Sequence, residues 1–266
     1  MARKITTFQD RTILNEENLK FLKENIDAKK STLSFSELWK QISNNLTTIL
    51  VPEDVDIQIR SLALGSMSSE ISPKFQMALL LLIKEQLNVK RISLYDPEFN
   101  DLDRELMTKE YDMTVDEIDP FSKENNENVI YYLPHIPLEV LEGLIAEKHP
   151  SYMICNNIEK HLSRFTVNEI ITKFPELSLV YFKLEPDVND EFTVVEKKKP
   201  RNRKKKGQSQ RLAQVMEDEK TQKQRFLDSV KEIYKEIDVM YKIEASDVPA
   251  EAGNSFSDLF LLKCRQ

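Results

Sequence analysis

Four runs of apolar residues in this chain each end in polar or flexible ones, and those endings hold its chemistry. Gly65 and Ser66 follow IQIRSLAL, Asp96 follows RISLY, His135 follows VIYYLP, and Asn156 follows SYMIC. An aspartate at the end of a strand can accept the hydroxyls of a ribose. A glycine turn leading into a helix can present backbone N–H groups to an anion. Histidine can move a proton near neutral pH, and asparagine can both donate and accept hydrogen bonds. Open α/β sheets meet their ligands at the carboxyl ends of strands. The four places therefore propose one crevice for a nucleotide-like small molecule.

Each residue also has a plainer use. Gly65 stands without the further glycines of a GxGxxG or Walker loop, with Ala63 and Met67 nearby, and Glu70 adds negative charge where a phosphate would sit. It can simply relieve a βα turn. Asp96 lies 31 positions after Gly65, against about 20 from the glycine fingerprint to its acid, and Pro97 allows a local Asx turn instead. His135, between Pro134 and Pro137, is rigidly aimed, which suits a site or a hydrogen-bonded turn. There is no GxSxG elbow and no recognisable cysteine–histidine pair. His149, Cys155 and His161, six apart, match no compact zinc pattern, so no metal is expected. No cofactor is specified.

Strands alternating with helices of ten to fifteen residues position these endings. The expected strands are IQIRSLAL, RISLY, a weak one at Met113–Val115, VIYYL, SYMIC and LSLVYFKL. Between them KFQMALLLLIKEQL, opened by Ser72-Pro73, DLDRELMTKEY, PLEVLEGLIAEKH and IEKHLSRFTVNEIITKF read as helices. This is a Rossmann-like α/β fold with a mainly parallel sheet flanked by helices. Residues 1–52 form an N-terminal helical arm: Leu19, Leu22 and Ile26 mark one helix, and Ser34 with Glu37 caps a second carrying Phe35, Leu38, Trp39, Ile42, Leu46 and Ile49. The α/β core domain covers 53–195 and a basic loop 196–207. A C-terminal helical extension follows within 208–266, helical to about Tyr241, and SDLFLLK returns as an edge strand.

Composition sets limits. Apolar residues make up 40% and charged residues 31% of 266, which suits a globular chain with a sizeable core. The longest apolar run, Met77 to Ile83, is too short to cross a membrane, and the N-terminus has no secretory apolar core. Two cysteines without a CxxC fit a reducing compartment, hence cytoplasm with possible nuclear access. Lys197, Lys198, Lys199, Arg201, Arg203, Lys204, Lys205 and Lys206 form a basic run without an acid. Taking those eight charges from the net −7 leaves −15 on the rest, which argues against nucleic acid. The run is a nuclear localisation signal, a contact for an acidic protein surface, or a solvated loop.

In order, Leu64-Gly65-Ser66, Tyr95-Asp96-Pro97, Pro134-His135, Cys155-Asn156-Asn157 and Phe256-Ser257-Asp258 resemble the motifs of the domain family named for sensitivity to red light reduced. The likeness runs well over about Asp56 to Glu159. Ala63 and Cys155 stand where that family carries glycine, which leaves a ligand less room at the backbone. Members of the family include a fungal protein linked to benomyl resistance and microtubule behaviour, and others linked to light signalling, the circadian clock and haem biosynthesis. The resemblance implies a non-enzymatic regulatory protein in a microtubule-related process, with microtubules or another acidic surface as partner. The alternative is a nucleotide- or S-adenosyl-type ligand-binding protein or group-transfer enzyme using the crevice.

Overall fold

Side chains along a strand point alternately to the two faces of a sheet, and the central strand VIYYL is apolar throughout because both faces are covered. Its Ile130 and Tyr132 enter one core, while Val129, Tyr131 and Leu133 enter the other. The computed structural model describes residues 12–49, 56–117, 128–184, 218–230, 233–244, 246–256 and 258–265. Its seven strands are β1 (Gln58–Leu62), β2 (Arg91–Tyr95), β3 (Thr114–Val115), β4 (Val129–Leu133), β5 (Tyr152–Asn156), β6 (Glu236–Lys242) and β7 (Leu259–Arg265). They lie in the order β3-β2-β1-β4-β5-β7-β6. The first five are parallel, and β7 runs antiparallel to both β5 and β6. The Rossmann-like α/β reading holds.

Helices α1 (Glu16–Ser34), α2 (Glu37–Ile49), α3 (Ser72–Gln86) and α4 (Asp101–Glu105, continued by a π turn to Glu110) contribute to the first core. Helices α5 (Leu138–Lys148), α6 (Ile158–Leu162), α7 (Val167–Lys173) and α8 (Pro175–Leu184) contribute to the second. The arm seats Leu22, Ile26 and Leu33 of α1 and Leu38, Ile42 and Leu46 of α2 in the first core. Each such side chain contributes about 1.5–3 kcal/mol on burial. The joint between the two helices differs from expectation. Ser34 is the last residue of α1, and Ser36 caps α2 by accepting from the Trp39 amide at 3.1 Å. That leaves Phe35 89% exposed and off the apolar stripe.

Three further elements depart from the sequence reading. LSLVYFKL is helix α8, not a strand. Pro175 suits a first helical turn, and the Glu142 carboxylate accepts from the Glu176 and Leu177 amides at 2.9 and 2.8 Å, capping that turn from another helix. IEKHLSRFTVNEIITKF is split into α6 and α7, because Thr166 and Glu169 form a capping box that starts a new helix. The helical extension is seen over 218–229, whereas 236–242 is strand β6. Ile237, Val239 and Tyr241 fit a period of two as well as a helical one, and pairing with Cys264, Leu262 and Leu261 of β7 decides it. Hence β7 is an interior strand and β6 the edge. The basic run Lys197–Lys206 lies outside the described residues.

Candidate functional site

The turn after β1 binds anions, and the anions are carboxylates brought to it from the end of β2 and from α4. Gly65 takes φ +79°, and a Cβ there would lie 2.9 Å from Pro73 Cγ, so both backbone conformation and space require glycine. Ala63 also holds a left-handed φ of 57°. The Gly65 amide donates to Asp96 Oδ2 at 2.7 Å, and the Ser68 amide donates to Asp103 Oδ1 at 2.8 Å. The Glu70 amide is engaged by the Ser66 carbonyl, and the Lys74 and Phe75 amides by that of Ile71. Pro73 has no N–H at all. Ser72 does not cap α3 as its position suggests; its hydroxyl accepts from Ser255 instead. Few backbone donors remain for a phosphate.

Asp103, absent from the sequence-based candidates, is the centre of this arrangement. It is fully buried on α4. Its carboxylate accepts from the Ser66 hydroxyl at 2.6 Å and the Asn100 amide at 3.3 Å as well as from Ser68. Asn100 caps α4 and donates from Nδ2 to Ser68 Oγ at 2.6 Å. Burial pushes the Asp103 carboxyl above its usual range, against the lowering effect of those hydrogen bonds. The clue in the sequence is the spacing Asn100-x-x-Asp103, a helix-capping pattern that does not reveal its tertiary partners.

Asp96 closes the Asx turn, its Oδ1 accepting from the Glu98 amide at 2.8 Å, while its Oδ2 fastens Gly65, a contact absent from the sequence reading. On the neighbouring strand ends, Asn156 clamps the turn after β4. Its Oδ1 accepts from the His135 amide at 2.7 Å and its Nδ2 donates to the Ile136 carbonyl at 3.0 Å. His135 is thereby fixed at φ +59° with an exposed side chain.

These endings converge, though not all on one space. A cavity of about 450 Å³ opens at the carboxyl ends of β1, β2 and β4. Gly65, Asp96 and His135 line it, with Glu70, Gln76 and Tyr95. Ser66 faces the Asp103 network, and Asn156 lines a separate cavity of about 350 Å³ that shares His135 and Pro137 with the first. That second cavity contains a pair the sequence reading left apart, His161 Nε2 and Asp258 Oδ2 at 2.6 Å. His161 sits on α6 and Asp258 just before β7, so only the β5–β7 pairing brings them together. Among the described residues, no group of three or more His, Cys, Asp or Glu side chains could hold a metal ion.

Comparison with known families identifies one match. The model of the SRR1 domain covers residues 42–262. The chain belongs to the SRR1 domain family, the one named for sensitivity to red light reduced. No curated protein and no solved structure matches it.

Proposed function

We propose that this SRR1-domain protein is a regulator whose input is a nucleoside-type small molecule held at the strand ends. The observation that carries the reading is the 450 Å³ cavity on which Gly65, Asp96 and His135 meet. Its size suits a ligand of a few hundred daltons, and its place is where such sheets receive nucleosides. Binding is favoured over catalysis because the polar groups are committed to holding the turns. Both Asp96 oxygens and both Asn156 side-chain atoms have backbone partners.

Thermal unfolding of the whole chain with adenosine, S-adenosyl compounds and nucleotides tests this. A ligand at 100 times its Kd adds about 2.7 kcal/mol, which raises Tm by roughly 5–11 °C for a chain this size. Val140 lines the cavity from α5, so Val140→Trp should fill it and remove the shift while leaving Asp96 intact. An equal shift in wild type and Val140→Trp, or no shift with any nucleoside, overturns the reading.

The output proposed is a microtubule-related process in the cytoplasm, as the family resemblance implies. The basic run Lys197–Lys206 supports it, since a cluster of eight positive charges on an otherwise acidic chain suits the acidic surface of tubulin. Co-sedimentation with microtubules should weaken as salt rises and vanish when Lys197–Lys206 is deleted. Binding that survives the deletion unchanged refutes this route.

A further inference from the structure

Apart from the His135 imidazole, the ionisable groups of the described crevice lining that carry charge near neutral pH are carboxylates. Asp96 and Glu70 line it from β2 and from the entry to α3, and none of the described lining residues is lysine or arginine. Lys74 lines a different cavity and donates to the Glu70 carbonyl at 2.8 Å. The donors that would compensate a phosphate are already engaged by Asp96, Asp103 and the Ser66 and Ile71 carbonyls. A phosphate placed here would meet two carboxylates and few N–H groups.

A second observation points to what the crevice accepts. Gln76 lines the same cavity and is fully buried. Its Nε2 donates to the Ser255 carbonyl at 3.2 Å, and its Oε1 has no hydrogen-bond partner among the described residues. A buried amide oxygen without a partner has lost its solvation with nothing in return. The oxygen has no exposed surface, so a small shift of the Gln76 side chain toward the cavity it lines would let a ligand N–H or O–H group reach it and remove that cost. Tyr95, half-buried in the lining, adds an aromatic ring, which attracts cations by its quadrupole.

Resting on the nucleoside reading above, we infer that the crevice selects a phosphate-free, positively charged nucleoside that donates a hydrogen bond to Gln76. A sulfonium nucleoside such as S-adenosylmethionine has this chemistry, and its sulfide, S-adenosylhomocysteine, is the same molecule without the sulfonium charge. Nucleoside phosphates reverse the sign.

Isothermal titration of the full chain with S-adenosylmethionine, S-adenosylhomocysteine, adenosine, AMP and ATP separates the possibilities. The sulfonium compound should bind about five- to tenfold more tightly than its sulfide, the range expected for one charge near carboxylates at intermediate dielectric. AMP and ATP should bind more weakly than adenosine by at least the same factor. Glu70 is exposed, so Glu70→Gln should fold, narrow the sulfonium–sulfide gap and leave adenosine unchanged. Glu70→Lys should reverse the order of AMP and adenosine. If AMP or ATP binds wild type as tightly as adenosine, or if sulfonium and sulfide bind alike, the charge selection is wrong while the nucleoside reading stands. If no nucleoside binds, both fail together.

Discussion

Asp103→Ala should be among the most damaging single substitutions in this chain, although its position in the sequence suggests nothing beyond a helix cap. The carboxylate accepts from the Ser66 hydroxyl, the Ser68 amide and the Asn100 amide in a site with no solvent access. Alanine leaves the Ser68 and Asn100 amides without a partner, while Ser66 can still turn its hydroxyl toward Ser68 or Ser69, at 3.2 and 2.9 Å. One buried and one partly buried donor orphaned at about 1–3 kcal/mol each, softened by relief of a buried charge, give a loss of about 3 kcal/mol. With m near 3 kcal/mol/M, the urea midpoint falls by about 1 M. Asp103→Asn keeps one acceptor and should lose only about 1–2 kcal/mol.

The two variants also separate charge from geometry through pH. Burial raises the folded-state pKa of Asp103 above its ordinary value of 3.8. Between the ordinary and the raised value the folded state holds more protons than the unfolded state, so stability contributed by this group is full below the window and falls as pH rises through it. Wild type should therefore gain on Asp103→Asn as pH is lowered toward 4. Urea unfolding at pH 4.5, 6 and 7.5 measures the gap. A gap that is constant or that widens with pH refutes the assignment of the shift to burial. A midpoint for Asp103→Ala within about 0.3 M of wild type, or about 1 kcal/mol, refutes the claim that this carboxylate organises the turn.

Other outcomes follow from the same geometry. Asn156→Ala should cost about 2–4 kcal/mol by denaturant unfolding, since it strands the His135 amide and the Ile136 carbonyl; Asn156→Asp should cost more, because a carboxylate oxygen then faces that carbonyl. Gly65→Ala should destabilise by about 2 kcal/mol or more from its left-handed φ and the approach to Pro73. Ala63→Gly should be neutral or stabilising by about 0.5–1 kcal/mol, because Ala63 holds a φ of 57° that glycine adopts freely. Cys155 and Cys264 are both buried, and burial pushes the Cys264 thiol up to about 12; a thiol reagent at pH 8 should modify neither until the protein unfolds.

How much was legible in the sequence depended on whether local pattern or long-range pairing decided each element. The parallel half was readable because β1, β2, β4 and β5 are short apolar runs closed by turn residues, and the helices between them bury broad apolar faces. In the antiparallel half SDLFLLK was readable as a strand, now β7, but its interior place and its partner β6 were not. LSLVYFKL contains the β-favouring residues of a strand, yet it is a helix because Glu142 caps it from α5 and it packs in the second core. EIDVMYK carries both periods, and only β7, some twenty residues later, selects the strand. The strand-end residues were legible from their position, and Gly65, Asp96 and His135 do line one cavity. Their partners were not, since Ser66–Asp103 and His161–Asp258 join segments 37 and 97 residues apart.

The internal carboxylates change what a lone glycine after β1 means. In a phosphate-binding loop the turn offers N–H groups and waits for an anion; here Asp96 and Asp103 occupy those N–H groups permanently and bring their own charge. Removing one acid would not create a phosphate site. Asp103→Ala frees the Ser68 amide but leaves Asp96 on Gly65 and Glu70 at the mouth, and it loosens the turn that must hold a ligand. Asp96→Ala frees the Gly65 amide but also opens the Asx turn at Glu98. Neither single variant should therefore gain measurable affinity for inorganic phosphate by isothermal titration. A phosphate Kd below about 1 mM in either one, a binding free energy beyond about −4 kcal/mol at the 1 M standard state, would mean that these carboxylates only stand in for an anion the turn is otherwise ready to bind.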